Sequence, residues 1–91
     1  MAYTLYVEGF PPSVTREELV HLFSTFGTVL SADLARTPEG RSMGFAEVVM
    51  ANLTEADNAM EALHRVYLHA RLLLVFDDYA WTDRGPKEPS C

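Results

Sequence analysis

Two kinds of hydrophobic spacing take turns along the chain. Residues 4–7 are a short β-rich run, ended by Gly9 and the Pro11-Pro12 pair, which cannot continue a hydrogen-bonded ladder. Thr15-Arg16-Glu17-Glu18 then has the form of a capping box, in which a hydroxyl and a carboxylate three residues apart satisfy free helix N–H groups. Leu19, Leu22, Phe23 and Phe26 follow at i, i+3, i+4 and i+7, the stripe of an amphipathic helix, and Gly27 is expected to stop it in a left-handed conformation. Residues 29–35 and 44–50 read as two strands, joined through Thr37-Pro38-Glu39-Gly40, a sequence suited to a type I turn. Thr54 with Asp57 is expected to open a second helix, whose Ala56, Ala59, Met60 and Leu63 repeat the helical spacing with small residues that allow close packing on a sheet. Two extended runs close the pattern, 66–68, short enough to be only an edge hairpin arm, and 72–76.

The order strand, helix, strand, strand, helix, strand predicts an α+β, ferredoxin-like βαββαβ sandwich, a four-stranded antiparallel sheet with two helices on one face. Residues 1–78 make up that domain. Residues 79–91 form a C-terminal tail rich in Pro and Gly.

Strand parity decides what the uncovered face presents. If Leu5 and Val7 point to the core, Tyr6 and Glu8 point away from it; if Ala46, Val48 and Met50 are buried, Phe45, Glu47 and Val49 are on the open side. The opposite register would turn three apolar side chains outward to bury one phenylalanine. In the last strand, burying Leu73 and Val75 turns Leu72, Leu74 and Phe76 to the same open face, extending an apolar patch of a kind that usually has a cover. Tyr79 and Trp81 of the tail are suited to fold onto it.

With those positions set, Leu5-Tyr6-Val7-Glu8-Gly9-Phe10 and Met43-Gly44-Phe45-Ala46-Glu47-Val48-Val49-Met50 resemble the strand-one hexamer and strand-three octamer of the RNA recognition motif family. The likeness runs over roughly residues 3–76 and includes the Leu-x-x-Arg-x-Leu-x-Val ending at 68–75. The resemblance implies a sheet that stacks unpaired bases on exposed aromatics. Tyr6 matches the hexamer's stacking position and Phe45 the first aromatic of the octamer. Glu47 stands where the family usually has the second aromatic, Met43 where a phosphate-contacting Lys or Arg is usual, and Met50 where a third aromatic normally faces the core. Arg36, Arg41 and Arg71 are candidate phosphate contacts, Phe76 a further apolar contact, while Glu8, Asp33, Asp77 and Asp78 are expected around the same rim.

Charge tempers the affinity this implies. Thirteen acidic residues against seven basic give a net charge of -6, which opposes sequence-blind attraction to phosphate. A stacked base is worth about 1–3 kcal/mol, whereas a carboxylate a few ångströms from a phosphate costs about 1–4 kcal/mol. Weak binding to single-stranded RNA follows, with a dissociation constant above roughly 10 µM at physiological salt. A protein partner held on the apolar sheet face or an outer helix face is the alternative.

Enzymatic and metal-carrying uses of the same topology need an Arg-bearing or Cys-x-x-Cys loop after the first strand. The loop here, residues 8–13, has neither, so no enzyme, cofactor or metal is expected. His21, His64 and His69 show no ligand spacing and are read as surface or helix-end residues. A single cysteine, Cys91, excludes a disulfide within the chain, and with no charged leader or long apolar run this points to an intracellular location, without a membrane: cytoplasm if bacterial, otherwise nucleus or cytoplasm.

Overall fold

Leu5, Val7, Ala46, Val48, Met50, Leu73 and Val75 all lie on one side of a single antiparallel sheet, completely or almost completely buried. The computed structural model describes residues 2–77. The elements are β1 (Tyr3–Glu8), α1 (Arg16–Ser24), β2 (Val29–Arg36), β3 (Ser42–Met50), α2 (Leu53–Leu63), β4 (Val66–Leu68) and β5 (Arg71–Asp77), with strand order β2-β3-β1-β5-β4. Leu19 and Phe23 of α1 and Ala56, Ala59 and Leu63 of α2 close the core over that one face. The expected ferredoxin-like arrangement is therefore present. The sheet has five strands rather than four, because the short arm at 66–68 pairs with β5 as a true edge strand.

The first helix starts as the capping pattern predicts: Thr15 has extended backbone and its hydroxyl accepts the Glu18 N–H at 3.1 Å. Its end differs. Gly27 does not adopt a positive φ, and the last turn closes through Thr25 in right-handed helical geometry. What Gly27 supplies is room, since a Cβ there would come within 2.5 Å of the Glu55 side chain. Glu55 uses that space to accept the Thr28 N–H at 2.8 Å, tying the start of β2 to α2.

The second helix begins earlier than Thr54. Asn52 is its N-cap, its side-chain oxygen accepting the Glu55 N–H at 2.9 Å. Asn and Thr are both good caps, and the residue with extended backbone wins. The β2–β3 hairpin closes as expected, with Gly40 N–H bonded to the Thr37 carbonyl at 2.8 Å and Gly40 at φ +89°. This is the turn-plus-left-handed-glycine pattern of three-residue hairpin loops. In the β4–β5 hairpin, by contrast, His69 and Ala70 take φ of 52° and 67°. A two-residue turn of this hand needs two left-handed residues, normally Asn-Gly, and here neither is glycine.

Candidate nucleic-acid interface

The sheet face away from the helices is laid out in rows by the strand register. One row crosses four strands: Asp33 on β2 lies opposite Glu47 on β3, Glu47 opposite Tyr6 on β1, and Tyr6 opposite Phe76 on β5. In the next row Phe45 faces Glu8, which faces Leu74. The Tyr6 and Phe45 rings sit diagonally between these rows, centroids 6.3 Å apart and planes only 14° from parallel. Two near-parallel rings side by side form a flat aromatic surface on the bare face.

Phe45 owes its position partly to Gly44, which adopts φ +74° and comes so close to the loop after β1 that a Cβ would lie 2.9 Å from the Phe10 carbonyl oxygen. The Gly44 carbonyl also accepts the Gly9 N–H at 3.0 Å. That junction pins the end of β1 to β3 beside both rings.

Asp33, Leu34, Ala35, Phe45 and Glu47 line an open recess of about 200 Å³ beside the Phe45 ring. The site residues expected from sequence divide into three sets. Tyr6, Phe45, Glu47 and Phe76 are brought together on the bare face. Arg36 and Arg41 lie at the β2–β3 hairpin, where one Arg36 guanidinium nitrogen donates to the Gly40 carbonyl at 3.2 Å and Arg41 is exposed. Arg71 stands apart: it opens β5 beside the β4–β5 turn and shares the strand parity of Leu73 and Val75, which face the helices. Alternation therefore aims it away from the face that carries the rings. Asp33, expected at the rim, stands on the edge strand β2 at the end of the row that holds Glu47 and Tyr6. Asp78, Tyr79 and Trp81, the last two expected as a cover, lie outside the described residues.

His64 is the contributor that sequence reasoning left without a role. As the C-cap residue of α2 it reaches the β5 edge beyond the end of β4, where its Nδ1 accepts the Val75 N–H at 3.0 Å. Its ring meets Phe76 edge-on, centroids 5.3 Å apart. An N–H donated to Nδ1 places the imidazole proton on Nε2. The only signal in the sequence was a histidine at a helix end, with nothing to connect it to a strand eleven residues on.

The family model described as RNA recognition motif matches residues 5–74. Polyadenylate-binding protein 2 of Arabidopsis thaliana is 39% identical over 71 residues, covering 78% of this chain and 11% of the relative. Glycine-rich RNA-binding protein 1 of Mycosarcoma maydis is 37% identical over 76 residues, covering 82% of this chain and 43% of the relative. The chain thus spans less than half the length of these relatives. Among solved structures, the RNA-binding protein PG1 superposes with a TM-score of 0.80 at 29% identity, covering 97% of this chain and 99% of that one. The Rna15 domain with bound RNA (GU) superposes with a TM-score of 0.73 at 27% identity, covering 79% and 78%.

Proposed function

The chain belongs to the RNA recognition motif family, and from that premise we propose that it binds single-stranded RNA on the bare sheet face and catalyses no reaction. The observation that carries this reading is the Tyr6–Phe45 pair, two rings nearly parallel on the side of the sheet that the helices leave uncovered. Every base has a π-face, so such rings take up unpaired bases with little regard to sequence. Phe76, directly opposite Tyr6, widens the apolar ground on which a strand lies. The solved Rna15 domain with bound RNA lends support from a related fold.

Binding is weak in this account, for reasons visible along the same rows. Glu47 occupies a central position where a third ring would add a stacked base, and Asp33 stands next to it. Among the described residues, Arg36 and Arg41 at the β2–β3 hairpin are the cations that would meet phosphates from that side. The dissociation constant is accordingly set above roughly 10 µM at physiological salt.

Tyr6→Ala and Phe45→Ala test the reading. Each should weaken binding of a short single-stranded RNA by about 1–3 kcal/mol, or roughly 5- to 150-fold, with the far-UV circular dichroism unchanged. Equal affinity in the wild type and the double variant would refute it. A domain that instead served a protein partner would show no RNA binding even at low salt.

A further inference from the structure

Asp33 and Glu47 are direct cross-strand neighbours on the open face, both exposed. Neither carboxylate has a hydrogen-bond or ion-pair partner among the described residues. Like charges placed opposite each other in a sheet destabilise it. The pair therefore does not serve the fold, although a change at either position would remove the repulsion. The carboxylates do not stand alone, because together with the Phe45 ring they line one recess.

We infer that this recess selects a guanine base stacked on Phe45, with Glu47 as the principal reader and Asp33 beside it. The inference rests on the RNA-binding reading above and names the base that reading leaves open. An ionised carboxylate only accepts hydrogen bonds, with two oxygens that take a pair of donors side by side. Bases in single strands expose their Watson–Crick edges to such contacts. Guanine alone among the four offers two adjacent donors there, N1–H and the N2 amino group. Cytosine and adenine each set one amino group beside an acceptor nitrogen. Uracil sets a single N–H between two carbonyl oxygens, which would face the carboxylates with like partial charge. Phe45 and Glu47 are two residues apart on one strand and so project in the same direction about 7 Å apart, which lets a base on the ring reach the carboxylate with its edge. The same charge that repels phosphate thus becomes the source of selectivity.

The test compares a uridine octamer with octamers carrying one central guanosine or inosine, by fluorescence anisotropy, for the full chain and its Glu47→Gln and Asp33→Asn variants. Guanosine should raise affinity about 10-fold over the all-uridine strand, as expected for a bidentate contact, and inosine, which lacks the N2 amino group, by less. Glu47→Gln should reduce the guanosine preference to within about 2-fold of unity while leaving uridine binding equal or tighter. Asp33→Asn should reduce the preference partially. Equal binding of the guanosine and uridine strands, or a Glu47→Gln effect of the same factor on both, would overturn the inference while leaving the stacking platform intact. Failure of all three strands to bind would strike the platform itself, and with it this inference.

Discussion

Phe23 and Phe45 are chemically identical and differently employed. Phe23 is sealed beneath α1 in the core, whereas Phe45 lies on the opposite face, half-buried beside Tyr6. The difference comes from position in the pattern: one falls on a helical stripe, the other on the outward parity of a strand whose inward residues are Ala46, Val48 and Met50. His64 shows the residue scale in another way. Its Nδ1 satisfies an N–H on β5 that no neighbouring strand reaches, and a buried or half-buried donor left without a partner costs about 1–3 kcal/mol. His64→Leu, which keeps apolar bulk next to Phe76 and removes the acceptor, should lower stability by about that amount in urea denaturation, with the slope unchanged. An unchanged midpoint would mean the Val75 N–H is satisfied by solvent instead.

At the level of elements, the strands and helices were readable from spacing alone, and so was the face on which Tyr6, Phe45 and Glu47 emerge. Their ends were less readable. The α2 start lies at Asn52 rather than Thr54 because both carry competent caps, and only the backbone angle decides between them. The position of Gly27 at a helix end suggests conformational freedom, whereas its use depends on Glu55, distant in sequence, occupying the volume a side chain would take. The placement of Arg71 shows the same limit: its neighbourhood on the chain suggested a rim contact, and its parity aims it to the helix side. The β4–β5 turn is the element where local sequence and conformation conflict most. His69 and Ala70 both hold a left-handed backbone that disfavours a side chain by about 1–2 kcal/mol per residue. Ala70→Gly should therefore stabilise the domain by about 1 kcal/mol, raising the melting temperature by roughly 4–8 °C. Thermal unfolding checks this directly, and a lower melting temperature would contradict it. The turn is far from the ring pair in register, so RNA affinity should not change.

For the whole molecule, the division of the sheet into a covered and a bare side is the property from which function follows. Among the described residues no polar or charged side chain is buried, so the covered side is devoted to stability. The bare side carries an aromatic pair, an apolar strip on β5 and three carboxylates, Glu8, Asp33 and Glu47, in one continuous register. With a net charge of -6 the molecule as a whole repels a polyanion, so the proposed RNA binding draws on these local contacts rather than on a general electrostatic field. That makes the location of binding more informative than its strength. Backbone amide NMR of the labelled chain, titrated with a degenerate single-stranded RNA pool, reads location residue by residue. Shifts concentrated at Tyr6, Phe45, Glu47 and Phe76, with the amides of α1 and α2 unmoved, are the predicted result. Shifts on the helices with none on β1 and β3, or no shifts at millimolar RNA, would contradict the account.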